Sequence, residues 1–69
     1  MEQIKIDTDY IKLDQFLKLA AVVQTGGEAK MMIQDEGILV NGQVCTQRGK
    51  KLRRDDRVEI LGYKEFIVV

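Results

Sequence analysis

Six cationic side chains crowd into one short stretch, Gln47-Arg48-Gly49-Lys50-Lys51-Leu52-Arg53-Arg54-Asp55-Asp56-Arg57, against two carboxylates. Such a run suits one kind of chemistry, the seating of phosphates by charge, because each neutralised phosphate releases condensed counterions. The same run also reads as a hydrated loop kept for solubility, and only its position relative to other groups separates the two readings. The formal neutrality of the chain, 11 Lys and Arg against 11 Asp and Glu with no His, hides this asymmetry. Residues 1–36 hold four basic and seven acidic side chains, whereas residues 37–69 hold seven basic and four acidic.

Other chemistries fit less well. Gly49-Lys50-Lys51 suggests a nucleotide loop, but Gly42 stands seven positions before Gly49 and no Ser or Thr follows the lysines, so the Walker spacing fails. The acid pairs Asp35-Glu36 and Asp55-Asp56 are adjacent in sequence, so their carboxylates point apart and read as solvated rather than sharing a proton. Cys45 falls in an expected strand with no His to activate it, and reads as a small buried hydrophobe. One Cys and no His leave only carboxylates for a metal, without the spacing of a calcium loop. His, Ser, Pro and Trp are all absent, which removes the usual general base and the commonest hydroxyl nucleophile. The expectation is a chain with no catalytic residues, no metal and no cofactor.

The elements that must position the cations follow from length and pattern. Sixty-nine residues suit one domain, residues 1–69, with a thin core and little room for a deep pocket. A hydrophobic fraction of 45% with 32% charged residues is enough to fold and to be clothed, so disorder is not indicated. The longest uncharged apolar stretch, Leu19 to Val23, is far short of a membrane span, and the N-terminus lacks the pattern of a secretory signal. With a single Cys, these features point to the cytoplasm and to no membrane partner.

Leu13, Phe16, Leu17, Ala20 and Ala21 make one apolar stripe, which predicts a helix from Leu13 to near Val23. Thr25-Gly26-Gly27-Glu28 is a capping box that opens a second helix with Ala29, Met32 and Ile33 inward, and Gly37 is placed to close it in the left-handed conformation. Whether the N-terminus of that helix is capped by Glu28 alone or also meets a phosphate stays open, with Lys30 one turn on to offset the carboxylate. Ile38 to Cys45 reads as a hairpin about Asn41-Gly42, and Val58, Ile60 and Phe66 to Val69 as a second hairpin about Gly62-Tyr63. Gln3 to Ile6 adds an edge strand. Helices followed by strands give an α+β domain, two or three short helices packed on a small, mainly antiparallel sheet. Phe16 and Phe66 fit the core, while Tyr10 and Tyr63 lie near element ends where exposure is expected.

Taken in order, these residues resemble the S-four RNA-binding domain, named after ribosomal small-subunit protein four. The resemblance runs from Lys12 to about Ile60: Lys12-Leu13-Asp14, then Thr25, Ala29 and Ile33, then Gly37-Ile38-Leu39-Val40-Asn41-Gly42, then Leu52 to Val58. Gly26-Gly27-Glu28-Ala29-Lys30 and Arg48-Gly49-Lys50-Lys51-Leu52 look most like the small stand-alone bacterial members, the YaaA-like proteins. The resemblance implies the alpha-L RNA-binding motif and RNA binding without catalysis. It carries RNA-facing positions onto Lys12, Thr25, Gly26 and the basic segment. Three departures stand out. Gly26 replaces a frequent Arg, Lys12 stands where Arg is common, and Asp55 replaces a Gly, although Asp accepts a positive φ better than most residues.

Together these readings predict a module that grips structured RNA, ribosomal or transfer RNA, in ribosome assembly or translation. The expected contacts are Lys12, Thr25, Gly26, Lys30, Arg48, Lys50, Lys51 and Arg53. The alternative is a protein-interaction adaptor that docks its basic half on an acidic partner, ribosomal or other, or adds its terminal strand, Phe66 to Val69, to another sheet or a second copy.

Overall fold

The computed structural model describes residues 1–69. In chain order the elements are β1 (Glu2–Ile4), β2 (Ile11–Lys12), α1 (Leu13–Leu19), α2 (Gly26–Gln34), β3 (Ile38–Val40), β4 (Gln43–Val44), β5 (Lys51–Leu52), β6 (Arg57–Ile60) and β7 (Lys64–Val68). Five strands form one sheet in the order β1, β7, β6, β3, β4, with β1 parallel to β7 and every other pair antiparallel. The remaining two, β2 and β5, pair antiparallel as a separate ribbon.

Strand alternation decides which face is buried. Ile38 and Val40, Val58 and Ile60, and Phe66 and Val68 all point to one side and are buried there, while Leu39, Glu59, Glu65 and Ile67 are only half-buried on the other. The inward set joins Leu13, Phe16 and Leu17 of α1 and Ala29 and Ile33 of α2 in one core. Phe16 and Phe66 meet edge to face with ring centroids 5.9 Å apart and planes at 82°. Such a pair adds about 0.5–1.5 kcal/mol beyond the area it buries. The architecture is therefore the α+β arrangement that the sequence pattern implies, with two helices.

Both helices end in the same device, and neither ends as the sequence pattern suggests. In α1 the amide of Ala21 donates to Lys18 O (3.0 Å) and that of Val22 to Leu17 O (3.0 Å), with Ala21 at φ 60°. This is a Schellman cap with Ala in the left-handed position. It stops α1 at Leu19 rather than near Val23, leaving Ala20 half-buried and Ala21 exposed instead of on the helix stripe. In α2 the amides of Glu36 and Gly37 donate to Ile33 O (3.1 Å) and Met32 O (3.3 Å), and Glu36, not Gly37, carries the positive φ of 61°. Gly37 follows it close to the helix end, where a Cβ would lie 3.4 Å from Met32 O, at the near limit of ordinary contact. At the other end of α2, Thr25 Oγ1 accepts from the Glu28 amide at 3.1 Å, and the Glu28 carboxylate accepts from the Gln24 amide at 3.2 Å.

The first hairpin turns on Asn41 and Gly42, with φ 51° and 85°, as a primed turn requires. Cys45 lies just beyond β4, half-buried against the core. In the second hairpin Val58 pairs with Phe66 and Ile60 with Lys64. The N-terminal strand then lies on the far side of β7, Gln3 beside Ile67. That placement overturns one expectation: β7 is an internal strand bonded on both sides, so Phe66 to Val69 offers no edge for strand addition or dimerisation, and the sheet edges are β1 and β4. Residue Asp55 takes φ 76°, so the turn survives the departure from Gly.

Candidate functional site

The first amides of a helix have no partner within it. Lys12, which precedes α1, supplies no side-chain cap, and the amides of Leu13 and Asp14 instead donate to Lys50 O (2.8 Å) and Arg48 O (3.1 Å). The backbone of the basic segment is thereby docked on the start of α1. The β2–β5 ribbon continues the contact, pairing Ile11 with Leu52 and Lys12 with Lys51. Leu52 is buried and Ile11 half-buried, so the apolar pair anchors the ribbon while both lysines remain exposed. Five of the expected contacts, Lys12, Arg48, Lys50, Lys51 and Arg53, thus come together about the N-terminus of α1.

Like charges directly opposite on a ribbon are destabilising, so a facing lysine pair would ordinarily recruit an acid. None is present. The ion pairs of the molecule are Arg48 with Asp14 at 3.9 Å and Lys64 with Glu2 at 3.0 Å, and Lys12, Lys50, Lys51 and Arg53 belong to neither. The cations meet a ring instead: Lys51 Nζ lies 4.8 Å and Arg53 Cζ 5.7 Å from the centroid of Tyr10. Tyr10 was visible in the sequence only as an aromatic near an element end. Its signal was its place two residues before Lys12, which becomes meaningful only once β2 is known to pair with β5.

Not every cation of the segment joins the cluster. The Arg54 guanidinium turns away and donates to Thr8 O (3.0 Å) and Ile6 O (2.9 Å), clamping the link between β1 and β2. Arg57 opens β6 and lines a shallow depression with Glu59 and Glu65. Arg48 is partly offset by Asp14, whose other oxygen accepts from the Gln15 amide at 2.8 Å. The Asp55-Asp56 pair also divides. Asp55 is exposed, but Asp56 is half-buried and far from simply solvated: it accepts from the Arg53 amide at 2.8 Å and from Asn41 Nδ2 at 3.1 Å. Asn41 in turn accepts from the Arg57 amide at 2.9 Å. Asp56 therefore ties the Asn-Gly turn to the backbone of Arg53 and fixes where that cation starts.

Thr25, Gly26 and Lys30 stand at the start of α2, with Thr25 and Lys30 exposed, and no hydrogen bond, ion pair or ring contact joins them to the ribbon. The space a side chain at Gly26 would occupy is open. No group of His, Cys, Asp or Glu gathers in a metal-binding arrangement, and no helix is long and apolar enough to cross a membrane. Chemically, the arrangement offers convergent, unpaired positive charge beside an exposed aromatic ring. Lys64 lies elsewhere, where its hydrogen bond to Glu2, reinforced by the charges of Glu2 and Tyr63, holds its amine above the usual lysine value.

Two helices on a mainly antiparallel sheet match the fold that the resemblance implied. The chain belongs to the S4 domain family, whose model matches residues 4–69. It is similar to a protein of Bacillus subtilis (strain 168) described as probable ribosome maturation protein RlbA. The two are 50% identical over 66 residues, which span 96% of this chain and 93% of that protein.

Proposed function

We infer that residues 1–69 form one RNA-binding domain of the bacterial cytoplasm that acts without catalysis on structured RNA in ribosome maturation. Membership of the S4 domain family supports RNA as the partner, and a relative described as a ribosome maturation protein favours ribosomal over transfer RNA. The observation that carries the reading is the facing pair Lys12 and Lys51, exposed and without a carboxylate, in a chain that holds 11 Asp and Glu. Folding alone would favour an opposite charge at one of these positions, and a polyanionic partner removes the repulsion on binding. Lys12, Arg48, Lys50, Lys51 and Arg53 form the primary seat, with Thr25, Gly26 and Lys30 as a second contact from α2. Arg48 and Arg53 fork onto phosphate oxygens, while the lysines act as point charges.

The test is fluorescence anisotropy with labelled ribosomal RNA and transfer RNA in parallel across a salt series. If about five phosphates are neutralised, log affinity falls with log salt at a slope of about −3.5 to −4.5. The double variant Lys50→Glu with Lys51→Glu, shown by circular dichroism to be folded, loses most of the affinity. A flat salt response, or unchanged binding by the folded double variant, would overturn the reading.

A further inference from the structure

We propose that Tyr10 is a stacking platform for an unpaired nucleobase, with Lys51 and Arg53 seating the phosphates that flank it. The proposal rests on the RNA-binding reading above and names what that surface selects: a loop or bulge rather than a continuous duplex. Three observations carry it. Tyr10 is 37% exposed, enough of a ring to meet a ligand, in a chain with four aromatics of which the two Phe are buried. The backbone that carries the ring is also held, because Thr8 Oγ1 donates to Tyr10 O at 2.8 Å and the next residue, Ile11, pairs with buried Leu52. Finally, Lys51 and Arg53 lie over the ring at 4.8 and 5.7 Å from its centroid and are paired with no acid, so both are free to move from the ring onto phosphates as a base takes their place.

The other exposed tyrosine provides an internal comparison. Tyr63 is more exposed, at 65%, and has Lys64 Nζ 5.1 Å from its centroid. That ammonium, however, is engaged by Glu2 at 3.0 Å, so the ring stands beside a neutralised charge at the β6–β7 turn, away from the cationic ribbon. Only at Tyr10 do an exposed ring and cations unpaired with any acid coincide. Base stacking on an aromatic side chain tolerates any base, because every base has a π face, whereas a base paired within a duplex is not free to leave its stack. The surface therefore discriminates by the presence of an unpaired base and not by its identity.

Two fluorescein-labelled RNAs test this: a stem–loop with a four-base loop, and the same stem–loop with abasic sugars in the loop, which keeps the phosphates and removes the bases. The wild-type chain binds the base-bearing loop more tightly. Tyr10→Leu weakens binding to it about tenfold, keeps the salt slope, and binds the two RNAs equally, while Tyr10→Phe retains the preference. In a Tyr63→Phe background Tyr10 is the sole tyrosine, and its emission is quenched by the base-bearing loop but not by the abasic one. Equal affinity of wild type for both RNAs, or unchanged affinity of folded Tyr10→Leu, overturns the platform while leaving salt-dependent binding intact. Failure of the wild-type chain to bind either RNA at low salt overturns this proposal and the RNA-binding reading together.

Discussion

Lys12 and Lys51 stand directly opposite each other across the β2–β5 ribbon, exposed and with no carboxylate paired to either. Stability and binding ask for different residues here, so one substitution separates them. Lys12→Glu converts a repulsive cross-strand pair into an attractive one and raises stability by about 0.5 kcal/mol in a denaturant titration. The same variant loses RNA affinity and lowers the salt slope by about 1 for each phosphate contact removed. A variant that gains or loses both together would contradict the assignment.

Neighbouring arginines give a second contrast. The Arg54 guanidinium holds two backbone carbonyls, Ile6 O and Thr8 O, in a fork that Lys cannot reproduce. Arg54→Lys therefore costs about 1–2 kcal/mol of stability, read by denaturant unfolding, with little change in RNA affinity of the folded chain. Arg53→Lys has the reverse profile, weaker binding and near-wild-type stability.

The helix ends predict stabilising changes. Ala21 at φ 60° and Glu36 at φ 61° occupy positions that glycine fills without steric cost. Ala21→Gly and Glu36→Gly each raise stability by about 0.5–1 kcal/mol, the relief of the left-handed strain exceeding the added entropy of the unfolded chain. Thermal unfolding of the single variants and their combination measures this, and the two sites, just past the C-termini of different helices with no shared hydrogen-bond partner, should act additively.

Gly26 opens α2 with free space about its missing side chain. Gly26→Arg removes the helix cost of glycine, about 0.5–1 kcal/mol, and incurs a comparable penalty for a cation at a helix N-terminus, so unfolding changes little. RNA binding gains a phosphate contact, and the slope of log affinity against log salt steepens by about 0.7–0.9. An unaltered slope would show that the start of α2 does not face the RNA.

The tie between β1 and β7 titrates. Lys64 is held above the usual lysine value by its hydrogen bond to Glu2 and then by the Glu2 charge. A raised folded-state pKa contributes stability that is fully present below the unfolded value of about 10.4 and is lost as pH rises through the folded one. Heteronuclear NMR of the Lys64 side chain should show the elevated titration, and Glu2→Gln should return it toward the ordinary value without affecting stability near pH 7 by more than a surface pair does.

Where the pattern was local, the sequence reading reached the fold. The apolar spacing from Leu13 to Leu17, the Thr25–Glu28 box and Asn41-Gly42 each place an element through contacts within a few residues, and all three are in the structure. Helix ends were less legible. Glycine is the usual left-handed residue, and here Ala21 and Glu36 hold that conformation, each shortly before a residue that enters the core, Val23 or Ile38. The β2–β5 pairing joins residues about forty positions apart through two-residue strands, too short to show any period.

For the site, the order of residues alone showed that cations cluster after the Asn-Gly turn, and the ordered motifs about them carried the resemblance to the family. Only the tertiary structure decided which cations act together. Arg53 and Arg54 are adjacent and chemically identical, yet one reaches the Tyr10 ring and the other the Ile6 and Thr8 carbonyls. The chain leaves β5 at Leu52 and turns at Arg54 and Asp55, so the two guanidiniums diverge, and what each meets is set by parts of the chain that lie far away in sequence.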